Sequence, residues 1–249
     1  MSDQPILDIQ DHGQAQVVSL NRPERLNAIN QPMSEALLGY FEARRRDTAC
    51  RVILVRGAGR GFCSGADLKA AGQPDQLRDG REGDWVLKDM LKAMRACPQP
   101  IIALVHGAAA GGGLAIALAA DVILAGESAA FHPAFIKIGL SASELGVSWR
   151  LQRTVGLSVA REMLLTGRPM LAADARRTGL VSRVVADDEL LPTGLALADE
   201  MLRAAPDALR VSKRSFDGAL EISDFATALE FEERGQILMV RQGVRAPRP

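Results

Sequence analysis

Two glycine-rich segments constrain this chain more than any other feature: Arg60-Gly61-Phe62-Cys63-Ser64-Gly65-Ala66-Asp67-Leu68 and His106-Gly107-Ala108-Ala109-Ala110-Gly111-Gly112-Gly113-Leu114. Each directly follows a short apolar run, Val52-Ile53-Leu54-Val55 and Ile101-Ile102-Ala103-Leu104-Val105. An uninterrupted apolar run suits a strand buried on both faces. The second segment also opens into small residues suited to a helix, whose first turn carries unpaired N–H groups. Glycine lets a bound molecule approach the backbone closely. Two strand ends that deliver free N–H groups to one place make an oxyanion hole, which holds negative charge on an acyl oxygen. One such loop is equally a plain turn. The pair is the stronger signal.

The rest of the chain has the rhythm of stacked βαβ units. Gln16 to Leu20 has strand composition and stops at Asn21-Arg22-Pro23. Asn30 caps a predicted helix with Pro32 in its first turn, running to about Arg46. The polar stretch between Ala70 and Gly83 reads as a mobile loop, followed by a helix from about Asp84 to Cys97. Ser143-Glu144 reads as the opening of a helix. From Leu157 onward the spacing predicts helices over Ser158–Leu165, Ala172–Thr178, Asp188–Ala204, Asp207–Gly218 and Asp224–Arg241.

Composition narrows the functional classes. The 249 residues are 47% hydrophobic and 24% charged, with a formal net charge of zero. A balanced charge gives no electrostatic reason to bind nucleic acid or a membrane surface. No 18-residue stretch lacks a polar break, and Met1-Ser2-Asp3-Gln4 does not resemble a secretory leader. Cys50, Cys63 and Cys97 are an odd number without metal-ligand spacing, so reduced thiols and a cytoplasmic location are expected, with no metal.

The ordered motifs resemble the crotonase superfamily, the enoyl-CoA hydratase/isomerase family. They begin at Leu20-Asn21-Arg22-Pro23-Glu24-Arg25-Leu26-Asn27-Ala28-Ile29 and continue through both glycine segments. They go on through Asp121-Val122-Ile123-Leu124-Ala125, Leu165-Thr166-Gly167-Arg168, Ala172-Ala173-Asp174-Ala175 and Gly179-Leu180-Val181. The resemblance implies an α/β fold, a spiral of ββα units. Residues 1–186 would form the core and 187–249 a helical oligomerisation region. It implies an acyl-CoA thioester as substrate, no separate cofactor, and a homotrimer or dimer of trimers. It also implies that the backbone N–H groups of Cys63 and Gly112 are the oxyanion donors. Arg25, Ala28, Ser64, Gly65, Ala66, Asp67, Leu68, Gly111 and Phe135 would line the substrate site. The chain ends shorter than the family's usual tail, at Arg245-Ala246-Pro247-Arg248-Pro249.

The departures decide the expected reaction. Hydratases of this family carry one glutamate three residues after the second oxyanion glycine, where this chain has Ala115. Their second glutamate falls at Phe135. Related dienoyl-CoA and ring-opening isomerases place an acidic residue further on. Counted back from Arg150-Leu151 that residue is Glu144; counted forward from Gly139 it falls one residue late, as after a one-residue insertion. The resemblance therefore implies a double-bond isomerase with Glu144 as acid and base. A hydratase using Glu144 alone and a non-catalytic acyl-CoA-binding protein are the alternatives. Glu144 at a helix start is equally a carboxylate held by the helix dipole. His106 reads as a backbone-bonding residue and His132 as a minor catalytic candidate. Arg25 and Lys213 are candidates for CoA phosphates, with solvated surface charge the competing reading.

Overall fold

The structure is a computed structural model that describes residues 4–68, 83–241 and 243. The expected mobile loop between Ala70 and Gly83 and the tail beyond Gly243 lie outside the described residues.

Strands β1 (Leu7–His12) and β2 (Ala15–Leu20) form a hairpin that starts the larger sheet. Then follow α1 (Gln31–Arg44), β3 (Val52–Gly57), α2 (Gly83–Ala96), β4 (Ile101–Val105), β5 (Ala108–Ala110) and α3 (Gly112–Ala119). Strands β6 (Val122–Gly126) and β7 (Ala130–His132) lead to a 3-10 turn at Ala134–Ile138, α4 (Val147–Val155) and α5 (Leu157–Thr166). The chain closes with β8 (Met170–Leu171), α6 (Ala172–Arg177), β9 (Arg183–Val185), α7 (Leu190–Leu202), α8 (Pro206–Ala219) and α9 (Phe225–Arg241). The larger sheet has the order β1-β2-β3-β4-β6-β9, parallel from β2 onward; the smaller is β5-β7-β8. The later pairs, β4 with β5, β6 with β7 and β9 with β8, thus each contribute one strand to the larger sheet and one short strand to the smaller. This is the α/β fold expected from sequence.

The apolar runs are two-faced, as their composition requires. Ile53 and Val55 of β3 and Ile101, Ala103 and Val105 of β4 pack towards α1, α2 and α3. Their neighbours Val52, Leu54, Ile102 and Leu104 pack on the opposite face with Leu190 and Ala198 of α7. Helix α7 sits so close that a Cβ on Gly194 would lie 2.7 Å from a Leu104 methyl. The Asn30 side chain accepts from the Met33 N–H at 3.1 Å, so the cap read from sequence is the one used.

Lys213 is not available to a phosphate. It is 6% exposed, bonded to Asp121 at 2.8 Å and to the Gln99 carbonyl at 2.8 Å. It ties α8 to the core, a correction to its reading as a CoA contact. Arg25 is exposed.

Candidate active site

The site is built where the two glycine segments meet. Cys63 bridges Ala109 in parallel fashion: its N–H donates to the Ala108 carbonyl at 2.9 Å, and its carbonyl accepts from Ala110 at 2.9 Å. The Cys63 amide is therefore already committed and the residue is fully buried, which overturns it as an oxyanion donor. Its thiol donates to the Asn27 carbonyl at 3.1 Å, and burial pushes it up to about 12. Burial also raises Cys50, to about 11, and Cys97. A thiol reagent is thus expected to label none of the three cysteines until the protein unfolds, and Cys63→Ala to keep its turnover; prompt labelling with loss of activity would contradict this geometry.

Three residues on, the accounting differs. Ala66 makes an isolated parallel bridge with Ile29, through Ile29 N–H to Gly65 and Asp67 N–H to Ile29, at 2.7 and 2.8 Å. The alternation of a parallel bridge turns the Ala66 N–H to the other side. There, among the described residues, it meets no acceptor, and Ala66 is exposed. Gly112 is the first residue of α3, so its N–H also lacks an intrahelical partner. The two amides are neighbours: a Cβ on Gly112 would lie 3.8 Å from the Ala66 nitrogen, and one on Gly65 would lie 3.4 Å from the Gly112 nitrogen. Two unpaired N–H groups converge here, one from each segment.

The entry segment braces this loop. The Asn27 side chain, fully buried, donates to the carbonyls of Ala58 and Gly61 at 2.9 Å each and accepts from the Arg22 N–H at 2.9 Å. Leu26 and Asn27 both adopt positive φ, 51° and 55°, which Asn tolerates better than most residues. Arg22 pairs with Asp67 at 2.9 Å and also donates to the Ala28 carbonyl. The Ser64 N–H donates to Leu26 at 3.0 Å. Asn27→Ala would leave buried groups orphaned and is expected to cost about 3 kcal/mol in urea unfolding; a change below about 1 kcal/mol would show that the clamp is not needed.

Glu144 lies outside any helix, a correction to the sequence expectation. Leu145 and Gly146 both have positive φ, 52° and 73°, and separate it from α4, which starts at Val147. The α4 dipole therefore does not account for Glu144. Its Oε1 accepts from the Leu145 N–H at 3.1 Å and faces Lys88 of α2 at 3.5 Å. Among the described residues Oε2 has no partner. Leu87, the residue before Lys88, reaches within 3.6 Å of where a Gly112 Cβ would stand, so α2 links the carboxylate to the amide pair. Sequence reading missed Lys88, because no motif marks a lysine on a helix.

The remaining candidates form walls. Phe135 is buried, and its ring lies 3.8 Å from where a Gly111 Cβ would be. Gly111 donates to the His132 carbonyl at 3.0 Å. Burial and Lys137 lower the His132 pKa, which favours the neutral ring. His106 Nε2 lies 2.8 Å from the Gly59 carbonyl, the backbone role expected of it. Leu68 is exposed and Ala28 buried. Among the described residues no cluster of His, Cys, Asp or Glu is arranged to hold a metal ion, and no helix is long and apolar enough to cross a membrane.

Comparison with known proteins bears on this geometry. Residues 12–242 match the family model described as enoyl-CoA hydratase/isomerase. A probable enoyl-CoA hydratase of Mycobacterium bovis is 39% identical, the match covering 89% of this chain and 80% of that one. The 1,2-epoxyphenylacetyl-CoA isomerase of Escherichia coli is 34% identical, over 92% and 90% of the two chains. The crystal structure of a monofunctional enoyl-CoA isomerase from M. smegmatis superimposes with a TM-score of 0.78 at 38% identity, covering 90% and 98%.

Proposed function

This chain belongs to the enoyl-CoA hydratase/isomerase family, and we propose that within it the protein is an enoyl-CoA double-bond isomerase. The observation that carries the reading is the pair of unpaired amides, Ala66 and Gly112, with the Glu144 carboxylate joined to them through α2. A thioester carbonyl accepts from both amides. With a 3-enoyl-CoA, Glu144 removes a proton from the carbon beside the carbonyl, and the electron pair delocalises onto the thioester oxygen. The two N–H groups stabilise that enolate, each contributing about 3 kcal/mol. Glu144 then returns the proton to carbon 4 as the double bond moves to carbons 2 and 3. One carboxylate suffices for this shuttle, whereas adding water is helped by two. Ala115 and Phe135 stand where the resemblance puts the hydratase glutamates, and neither positions water.

The test follows the conjugated-thioester absorbance. It should rise on mixing with 3-hexenoyl-CoA, and crotonyl-CoA should not lose it to hydration. The second reading, hydration by Glu144 alone, is favoured by the relatives that carry a hydratase name; steady loss of the crotonyl-CoA absorbance would establish it. Tight binding with no conversion of either ester would leave a non-catalytic acyl-CoA-binding protein. We also propose a homotrimer or a dimer of trimers. Phe216, Leu220, Phe225, Leu229, Leu238 and Val240 of the last two helices are exposed, Phe225 at 81%, and a partner subunit would cover them.

A further inference from the structure

Beside Ala115 the fold leaves a cavity of about 70 Å³, well below the size of a whole-ligand pocket. Leu91 and Arg95 of α2, Ala115, Leu118 and Ala119 of α3, and Leu145, Gly146, Trp149 and Arg150 next to or on α4 line it. Ala115, Leu118 and Ala119 share one face of α3, since residues three and four apart stack on a helix. At 1.5 Å per residue, Leu118 and Ala119 lie about 9–10 Å along the axis from Gly112. An acyl chain anchored at the Gly112 amide and laid along this face would bring its far end to the cavity. Leu145 and Gly146 of the lining directly follow Glu144, so the cavity opens beside the proposed base.

The walls are mainly apolar, but the charge around them is not balanced. Lys88 faces Glu144, Arg95 is paired with Asp217 of α8, and Lys213 is paired with Asp121. Arg150 is the fourth cation of this group. It is half-buried, and among the described residues its guanidinium makes no hydrogen bond or ion pair. It feels Arg95 as a like charge, and Asp217 and Asp121, each already paired with another cation, as opposite ones. A half-buried guanidinium with spare donors, on the wall of a small, mainly apolar cavity, is suited to a carboxylate.

We propose that this cavity is a distal subsite, and that the preferred substrates are acyl-CoA thioesters whose chain ends in a carboxylate held by Arg150. The inference rests on the acyl-CoA reading above and adds the chemistry of the acyl group. At about 1.2 Å per bond of an extended chain, the span corresponds to acyl groups of about eight to ten carbons. The alternative for Arg150, a solvated charge without a ligand, requires no preference between chain ends.

Binding separates the two, without relying on turnover. Saturated esters, which have no double bond to move, are titrated calorimetrically into the full-length protein: suberoyl-CoA against octanoyl-CoA, and sebacoyl-CoA against decanoyl-CoA. At least one carboxylated ester should bind about ten- to a hundredfold tighter than its partner of equal length. Arg150→Met should remove that advantage and leave the uncharged esters unaffected, while Arg150→Lys should retain part of it. Equal or weaker binding of both carboxylated esters would overturn the subsite and leave the acyl-CoA reading intact. Failure of all four esters to bind would remove that reading as well. A preference lost in Lys88→Met but kept in Arg150→Met would also overturn the assignment. Should Arg150→Met not fold, the wild-type ratio alone supports or defeats the proposal.

Discussion

Glu144→Gln should lower turnover of a 3-enoyl-CoA between about a hundredfold and ten-thousandfold while leaving its dissociation constant within a factor of about three. The amide keeps nearly the shape of the carboxylate and retains an oxygen for the Leu145 N–H, 3.1 Å away in the wild type. What it loses is the basic oxygen, and with it the means of taking a proton from carbon 2. The change also leaves Lys88 facing a neutral amide, but that pair is half-exposed at 3.5 Å, the kind whose contribution to stability is at most about 1 kcal/mol. Thermal denaturation should therefore barely move. Single-turnover kinetics with 3-hexenoyl-CoA, beside equilibrium binding of hexanoyl-CoA, separates the chemistry from affinity. Unchanged turnover would eliminate Glu144 as the base.

Gly113→Ala should be among the most damaging single methyls in the described residues. A Cβ at Gly113 would stand 2.3 Å from the Cys63 carbonyl oxygen and 2.8 Å from the Cys63 Cβ. Both belong to a fully buried residue whose backbone already pairs with Ala108 and Ala110, so neither has room to withdraw. Helix α3 must lift off the first glycine segment. A cost of about 3 kcal/mol is expected, at the upper end for overpacking, or a fall in Tm of roughly 6–12 °C for a chain of this size. Any protein that folds should lose about a hundredfold in turnover, because displacing the Gly112 amide by about 1 Å spoils its aim at the substrate oxygen. The neighbouring change gives the control. At Gly112 the tightest contact of an added Cβ is the far end of the Ile29 side chain, at 3.0 Å, which need give by only a few tenths of an ångström. Gly112→Ala should thus fold with little loss and report on the site alone. Wild-type melting of Gly113→Ala would show that α3 is not seated on Cys63.

The elements that could be read from sequence are those set by local physics. The apolar runs at 52–55 and 101–105 are two-sided strands because every position is apolar, and both faces are indeed covered. The Asn30 cap needs only a side-chain oxygen three residues before an N–H. Glu144 shows where such reading stops. Its sequence context suits a helix start, yet Leu145 and Gly146 turn left-handed and detach it. A leucine gives no warning of that.

Cys63 and Ala66 draw the same line more sharply. The amino acids alone determined that two glycine segments end two buried strands, since only that pattern of apolar runs and glycines was needed. Which amide remains free was a matter of register between segments far apart in the chain. The Cys63–Ala109 bridge consumes one N–H, and the Ile29–Ala66 bridge turns the other outward. Pairing of this kind belongs to no single residue and leaves no mark in composition or periodicity. It arises only when the folded chain apportions its hydrogen bonds, and the same apportioning leaves Arg150 without a partner among the described residues.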